Sequence, residues 1–479
     1  MSARTRTIWT FIVTSVAVFM VGLDNLVVTT ALPVIRVDLH ASLSSLEWTV
    51  NAYTLTFAVF LLTGASLGER FGRRRMLLLG LTVFTAGSAA AALAPSAEWL
   101  IAARAVQGLG AAVVTPLTLT LLSAAVPVER RGAALGAWGA VSGLAIACGP
   151  LVGGAVVQGW SWQTIFWINV PIGLVLIPIT WWRLGESRGT ASRLDVPGVA
   201  LASAGLFGIV LGLVRADSLG WTSLPVVASL AIGTVLVAAF VGWELRARVP
   251  MLPMRLFRSR GFSAANGASV LMFFGMFGAI FLLAQALQTM QGYSPLEAGL
   301  RMLPWTGMPI IVAPIAGVLA DRIGARSVVF VGLVLQSIGL LWLAAIISPT
   351  TPYADLVLPF AISGVGMAMF FAPTAALVLG TVRRSEEGIA SGAANALREL
   401  GGVLGVAVLA SVFAGHGGYA TPETFAQGLR PAVAVGGVVV GFAALVLLAV
   451  PRGRAQSLAV PSEDAVALAE PADLAGVSA

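Results

Sequence analysis

Two residues of opposite charge lie inside long apolar stretches of the sequence. Asp24 falls within the run Trp9–Ala31, and Arg104 lies about five residues into the run Trp99–Leu122. An ionisable side chain within a membrane-spanning segment costs roughly 2.5–3.5 kcal/mol to insert on translocon scales, and such a residue usually marks a functional site. If both runs cross a membrane, the two charges lie at similar depth. A pair of this kind can bind and release a proton or a cation, and a purely structural buried ion pair would leave the same pattern.

A second charged doublet, Arg398 and Glu399, lies midway along the apolar run Gly388–Phe413. Neighbouring helical residues point about 100° apart, so the two side chains are poorly placed to bind each other. We expect each to find another partner in the same half of the chain, or water. The pattern favours a structural role, and Glu399 is the second candidate for proton coupling.

The sequence predicts neither a metal centre nor an enzyme site. His40 and His416 lie far apart at the ends of apolar runs, and Cys148 is the only cysteine, so no intramolecular disulfide can form. We find no paired histidines, no phosphate-binding loop and no nucleophile elbow. We therefore expect no metal, no enzymatic activity, no nucleotide partner and no cofactor.

The amino-acid composition indicates which environment surrounds this chain. The sequence has 479 residues, of which 58% are apolar and 10% are charged, and its mean hydropathy is +0.93. Soluble domains carry about 25% charged residues, so the lipid bilayer must surround much of this protein. The net charge is +7, but the 28 basic residues, all arginine, are scattered between apolar runs. That distribution argues against binding to nucleic acid.

The apolar runs predict an all-α integral membrane protein. A helix needs roughly 20 residues to cross the hydrocarbon core. Fourteen runs of this kind are present. They lie near Trp9–Ala31, Trp48–Gly68, Met76–Ala94, Trp99–Leu122, Ala133–Val157, Ile165–Leu184, Val196–Ala216, Leu224–Glu244, Phe262–Met290, Ala298–Ala320, Ser327–Ile347, Leu356–Leu379, Gly388–Phe413 and Ala432–Val450. The first run is full-length with no evident cleavage site, and we expect it to be retained.

The distribution of arginine predicts the orientation in the membrane. With the N-terminus inside, the inner segments hold 22 arginines, the outer loops hold three, and three fall within the runs. Arginine and lysine accumulate in cytoplasmic loops. We therefore expect a multi-pass protein of the inner or plasma membrane with both termini in the cytoplasm.

Two loops repeat the same pattern in the two halves of the chain. Leucine, an acid, arginine, glycine and a final arginine recur at the same spacing after the second and the tenth runs. The loop residues concerned are Glu69, Arg70, Gly72, Arg73 and Arg74 in the first copy, and Asp321, Arg322, Gly324 and Arg326 in the second. We expect them to bind nearby helix ends and hold an inward-closed state; anchoring of the topology by positive charge is the simpler alternative.

Repeated halves are how many transporters build two bundles around a central site. The repeat divides the chain into an N-terminal six-helix bundle at residues 1–195 and a C-terminal six-helix bundle at residues 246–450. Residues 196–245 form an inserted helix pair, and residues 451–479 form a disordered cytoplasmic tail.

These loops resemble the loop signature of the major facilitator superfamily, and other segments are similar to its fourteen-span drug:proton antiporters. The similar segments are Leu23-Asp24-Asn25 with Ala31-Leu32-Pro33, Trp48 with Tyr53, Arg104-Ala105-Val106-Gln107-Gly108-Leu109-Gly110, Gly149-Pro150-Leu151-Val152-Gly153-Gly154, Ile168-Asn169-Val170-Pro171 and Gly292-Tyr293-Ser294-Pro295. Glu69, Ala65, Ala145 and Gln163 depart from the residues that the family usually has there. The resemblance implies a major facilitator fold, two six-helix bundles plus two inserted helices, fourteen in all.

The resemblance also implies a function and residue roles. It implies export of amphipathic drugs or antibiotics, cationic ones among them, in exchange for protons; a transporter of one specific metabolite, proton-coupled or facilitative, is the alternative.

The candidates for proton and substrate handling are Asp24, Arg104, Arg398 and Glu399. Candidates for the substrate cavity are Asn25, Gln107, Asn266, Phe273, Phe274, Gln285, Phe370 and Phe371, although phenylalanine in a span more often packs or faces lipid. Gly149, Pro150, Gly153 and Gly154 form the exporter motif, which would pack span 5 tightly and seal the cavity against proton leak.

Overall fold

The computed structural model describes residues 3–188, 195–382 and 387–450, and within these ranges the chain is built of α-helices joined by short loops. The helices are α1 Ala3–Asp38, α2 Leu43–Phe71, α3 Arg73–Ala92, α4 Ala97–Ala125, α5 Val128–Gly159, α6 Thr164–Trp167, α7 Asn169–Arg183, α8 Val196–Leu219, α9 Leu224–Glu244, α10 Arg260–Gln285, α11 Pro295–Thr306, α12 Met308–Ile323, α13 Ala325–Ile346, α14 Tyr353–Leu379, α15 Glu387–His416 and α16 Pro422–Leu447. A 3₁₀ segment, Met254–Arg258, precedes α10, and a π-helical turn, Ala286–Met290, follows it. The predicted tail at 451–479 lies outside the described residues.

The helices coincide with the predicted apolar runs because a backbone surrounded by lipid must satisfy its hydrogen bonds internally. Their ends carry polar caps. Ser42 and Ser96 accept backbone N–H groups at the start of α2 and α4, and Ser294 forms a capping box with Glu297 at the start of α11. These caps satisfy donors that the first turn of a helix leaves without partners.

The described residues hold twelve helical segments long and apolar enough to cross a membrane, or thirteen if the bent helix α2 is one span. In this count α6 with α7, and α11 with α12, each form a single span. Helix α5, with 32 residues, occupies the position of the fifth predicted run. The chain is therefore an all-α, multi-pass membrane protein, and fourteen crossings remain a prediction.

Contacts between helix ends define two sides of the molecule. The Thr7 hydroxyl donates to the carbonyl of Ala125 at 2.8 Å, which joins the start of α1 to the end of α4. Trp162 donates its indole N–H to Asp38 at 2.6 Å at the other end of α1. We call the side of the α1 start the terminal side and the opposite one the far side.

Helices α1 to α7 form one packed group and α10 to α16 a second. Helix α2 packs against α4, α1 against α5, and α3 against α4 and α7; in the second group α10 packs against α15 and α16, and α13 against α14 and α16. The groups meet along a seam formed by α2 with α15 and by α5 with α11. A continuous apolar core joins the far halves of both groups, including Leu32 and Ile35 of α1 and Phe281 and Leu287 of the second group.

Helices α8 and α9 pack mainly against each other and lie beside the seam. Helix α8 contacts α2 and α15, and its Phe207 lies against Trp48 with ring centroids 5.5 Å apart. Leu224 and Val235 of α9 are 80% and 66% exposed. Side chains of this kind on a spanning helix face lipid. The pair thus has one face on the two groups and another on the bilayer.

Candidate functional site

Asp24 and Arg104 form an ion pair in the interior of the first group. Arg104 Nη1 binds Asp24 Oδ2 directly, and both side chains are completely buried. The other carboxylate oxygen accepts from Asn169 Nδ2 at 2.7 Å and from Gln107 Nε2 at 3.2 Å. The structure therefore brings together three of the sequence-derived candidates, Asp24, Arg104 and Gln107, and adds Asn169 from α7.

Further contacts hold Arg104 in place. Its Nε donates to the Thr49 carbonyl at 3.2 Å and its Nη1 to Gln107 Oε1 at 2.9 Å. The Tyr53 ring lies 4.1 Å from the guanidinium carbon and offers its π face. Gln107 also donates to the Ser88 hydroxyl at 2.7 Å. Helices α1, α2, α3, α4 and α7 thus all contribute to one polar network in an apolar interior.

The contacts of Asp24 suit an ionised carboxylate. All three described partners donate, and one of them, Arg104, carries a positive charge. Because both groups are buried, each charge needs the other: an unpaired charge in a low-dielectric interior costs several kcal/mol.

The second charged doublet lies at the seam. The Arg398 guanidinium is 5.9 Å from the Phe273 ring, and its Nη1 is 3.5 Å from Asn395 Oδ1. Glu399 lies close enough to Tyr53 of the first group to act on it electrostatically, as do Asp24 and Arg104. Tyr53 therefore lies within electrostatic range of both candidate carboxylates.

The cavity candidates of the second group form an aromatic cluster with a polar border. The Phe273 ring lies 6.4 Å from that of Phe370 and 5.9 Å from that of Phe371. Phe370 is fully buried, whereas Phe274 and Phe371 are partly exposed. Asn266 donates to the Phe262 carbonyl at 2.8 Å, and its buried oxygen has no partner among the described residues.

Asn25 and Gln285 lie elsewhere. Asn25, next to Asp24, is partly exposed and its amide oxygen has no partner among the described residues. Gln285 donates to the Phe281 carbonyl at 2.8 Å and accepts from the Tyr419 hydroxyl at 2.6 Å. Both polar ends of Gln285 are thus occupied within the second group.

The glycines of the exporter motif make close contacts in two directions. A Cβ added to Gly149 or Gly153 would lie 2.6 Å from Leu26 and 2.2 Å from Thr30 of α1. A Cβ at Gly154 would lie 2.2 Å from the Pro295 carbonyl oxygen, across the seam, and one at Gly299 would lie 2.3 Å from that of Pro150. Backbones approach this closely only where small residues permit it. The motif therefore packs α5 against α1 and against the second group.

Polar contacts also cross the seam on the far side. Gln288 donates to the Thr30 carbonyl at 2.9 Å, and the Arg36 guanidinium lies 3.7 Å from the centroid of the Tyr419 ring. Burial raises the pKa of the Tyr419 phenol well above its usual range, although Arg36 opposes this, so the phenol keeps the proton that it donates to Gln285. Together with the glycine contacts, these bonds close the far side.

The two repeated loops have the same local geometry. Gly72 and Gly324 have φ values of 108° and 89°, and each ends one helix and begins the next. Arg74 donates to the carbonyl of Leu184, after α7, at 3.2 Å, and Arg326 donates to that of Leu448, after α16, at 2.7 Å. Matching arginines of the repeat thus hold the last helix of their own groups.

Other loop residues differ between the copies. Glu69 and Arg73 form an ion pair at 2.7 Å, whereas Arg70, Asp321 and Arg322 are exposed. The described loop contacts lie within one group and do not join the two groups.

Sequence reasoning missed three partners of these sites. Asn169 and Ser88 complete the Asp24 network, and Glu186 accepts the Arg74 backbone N–H at 3.1 Å beside Gly72. An asparagine in an apolar run is a usable signal. Ser88 and Glu186 have no distinctive spacing, and only their folded positions identify them.

The structure combines membrane-spanning helices, two helical groups that meet at a seam, and a buried charge pair. Together these features define a membrane transporter. A family model for the Major Facilitator Superfamily matches residues 14–303 and 265–475. The chain belongs to this superfamily and is a transport protein rather than an enzyme.

Named relatives and a solved structure agree with this assignment. The chain is 35% identical to the tetracenomycin C resistance and export protein of Streptomyces glaucescens over 426 residues, covering 88% of this chain and 79% of that protein. It is 36% identical to the multidrug resistance protein Stp of Mycobacterium tuberculosis over 407 residues, covering 85% and 75%. The fold is similar to that of the peptide transporter POT in complex with sulfate, with a TM-score of 0.69 at 16% identity, covering 93% and 94%.

Proposed function

We propose that this protein is a secondary active exporter that moves amphipathic drugs or antibiotics, cationic ones among them, out of the cell in exchange for protons. Relatives named for antibiotic resistance and export support the efflux direction. The single observation that supports coupling to charge is the buried ion pair of Asp24 with Arg104. In this proposal both termini lie in the cytoplasm, so the closed far side is the outer side.

Alternating proton affinity at Asp24 would drive the cycle. In the far-side-closed state the carboxylate is bound by Arg104, Gln107 and Asn169, an arrangement that expels a proton. Because α2 accepts a hydrogen bond from Arg104 through the Thr49 carbonyl and also packs against α15 at the seam, rocking of the two groups would move α2 and could carry Arg104 away from Asp24. Asp24 would take a proton from the outside when these donors withdraw, and release it inside when they return.

A cationic substrate would act on the same carboxylate. It would compete with the proton for Asp24 when Arg104 withdraws, and the aromatic cluster of Phe273, Phe370 and Phe371 would provide π faces for the rest of the molecule. The membrane potential supplies about 2.3 kcal/mol per charge for each 100 mV, and a pH gradient adds to it. Nothing further is needed to drive outward transport, so no cofactor is part of this mechanism.

The test measures substrate and protons together. A panel of dyes, quaternary ammonium compounds and antibiotics in an efflux-deficient host, with and without the gene, identifies a transported compound. Purified protein in proteoliposomes then receives that compound while a pH-sensitive dye records proton movement. We expect substrate-dependent proton flux in the wild type and at least a tenfold loss, about 1.4 kcal/mol of coupling, in Asp24→Asn.

A control variant lies on the same helix. Asp38→Asn changes a carboxylate at the far end of α1, which binds Trp162 and takes no part in the Asp24 network. This variant should retain proton flux. Unchanged coupling in Asp24→Asn would contradict the proposed role of Asp24 and direct attention to Glu399.

A further inference from the structure

Two carboxylic acids meet on the terminal side, away from the Asp24 network. Asp195 precedes α8 and accepts the backbone N–H of Gly198 at 3.0 Å, so it caps that helix. Glu244 is the last residue of α9 and is 3% exposed. A Cβ placed on Gly198 would lie 2.5 Å from Asp195 Oδ2 and 2.9 Å from Glu244 Oε1. The two carboxyl oxygens therefore border the same point at the start of α8 and lie at most about 5.4 Å apart.

Three of the four carboxyl oxygens have neutral donors. Asp195 Oδ1 accepts from the Trp243 indole N–H at 2.7 Å as well as from Gly198, and Oδ2 accepts from the Met251 backbone at 3.3 Å. Glu244 Oε2 accepts from the Leu252 backbone at 3.0 Å. The remaining oxygen, Glu244 Oε1, is buried and has no partner among the described residues.

Among the residues that the structure describes, no basic side chain is close enough to Glu244 to influence its charge. The groups that act on it are the Asp195 carboxyl and the backbone N–H groups of Met251 and Leu252. The arginines of the adjoining segment are exposed. They are Arg246, Arg248 and Arg258.

We propose that Asp195 and Glu244 share one proton at neutral pH and form a proton-binding site distinct from Asp24. Two ionised carboxylates in contact repel each other, and burial of Glu244 strengthens the repulsion. A single proton between Oε1 and the Asp195 carboxyl removes one charge and forms a short O–H···O bond. It also gives the orphaned oxygen its partner.

The site controls the segment that leads into the second group. Consecutive N–H groups, those of Met251 and Leu252, bind one carboxyl each. Met251, Leu252 and Met254 pack against an apolar cluster of the seam that contains Val59 of α2 and Val403 of α15. The shared proton therefore holds the α8–α9 pair and this segment against the line where the two groups meet, and its loss loosens that attachment.

Infrared difference spectroscopy of the purified full-length protein tests the site directly. The wild type should have the carbonyl band of a protonated carboxylic acid at about pH 7, where ordinary carboxyl groups are ionised. The component of this band that belongs to the pair should shift in D₂O, and the wild type minus variant difference spectrum should show its loss both in Glu244→Gln and in Asp195→Asn. Because asparagine can still cap α8, Asp195→Asn is expected to fold even if Glu244→Gln does not. Asp24→Asn and Arg193→Gln, the latter two residues before Asp195 in the sequence, should leave the band unchanged.

Thermal unfolding in detergent provides a second measurement. The folded wild type binds a proton that the unfolded chain has already lost, so its stability should fall as pH rises from about 4, where free carboxyl groups ionise, to about 7, and should change little above that. Glu244→Gln carries a permanent donor and should show a flatter dependence on pH. The proposal would be overturned by a wild type without a protonated-acid band, or by a band that is as strong in both carboxyl variants as in the wild type.

Discussion

At the scale of single residues, the central feature is a carboxylate whose donors come from other helices. Asp24 binds Arg104 and Gln107 of α4 and Asn169 of α7. Each donor stabilises the ionised form, and each belongs to an element that can move as a unit. The site can therefore serve both as a structural ion pair and as a proton switch, and mutagenesis must separate the two roles.

Removing both charges of the Asp24–Arg104 pair together separates the structural role from the role in proton coupling. Asp24→Asn leaves the buried charge of Arg104 without its counterion, which should lower stability by about 3–5 kcal/mol. The double variant Asp24→Asn with Arg104→Gln removes both charges and should recover most of that loss, as measured by thermal unfolding in detergent. Proton-coupled export should stay lost in both proteins. Recovery of coupling together with stability would mean that the pair is purely structural.

At the scale of elements, the exporter motif is a contact between α5 and two neighbours. Gly154 sets the approach of α5 to the start of α11 across the seam. Because this contact joins the two groups on the far side, its geometry governs whether that side can close.

We expect Gly154→Ala to hinder this closure. The new methyl group would lie 2.2 Å from a backbone oxygen, and overpacking of this kind costs about 1–3 kcal/mol. That cost would shift the equilibrium about 5- to 150-fold toward the open far side. Export should fall, and a cysteine at position 288, in a Cys148→Ala background, should react faster with an impermeant maleimide. Gly159→Ala, on the same helix with open space around it, should behave like the wild type. Equal labelling in all three proteins would argue against the closure role.

The repeated loops give a second prediction at this scale. Gly72→Ala and Gly324→Ala both place a side chain at positive φ, which costs about 1–2 kcal/mol. Only at Gly72 would the new Cβ also collide, at 2.7 Å, with a carboxylate oxygen of Glu186. Gly72→Ala should therefore lower the unfolding temperature more than Gly324→Ala does. The reverse order would mean that the Glu186 contact contributes little.

At the scale of the whole molecule, the arrangement is two helical groups joined along a seam, with α8 and α9 beside it. The far halves share one apolar core, and the described polar contacts across the seam lie there. In the proposed rocking cycle, this arrangement would be the state in which the far side is closed.

Cysteine labelling in intact cells tests the orientation of this state. The arginine distribution predicts that both repeated loops lie in the cytoplasm. In the Cys148→Ala background, cysteine at Arg75 or Arg322 should react with an impermeant reagent only after the cells are opened, whereas cysteine at Trp221, between α8 and α9, should react in intact cells. Labelling of the two repeated loops from opposite sides would contradict the two-bundle arrangement.

The amino-acid sequence by itself determined the membrane class, the positions of the apolar helices, the repeated loops and the two intramembrane charge sites. These depend on composition and short-range spacing, because a lipid-exposed backbone has few alternatives to a helix. Only the tertiary structure decided which side chains meet. Asn169 reaches Asp24 from 145 residues away, Gly154 meets the backbone of Pro295, and Asp195 meets Glu244 at the two ends of a helix pair. Such contacts depend on how helices rotate and pack, and no local pattern in one sequence specifies that.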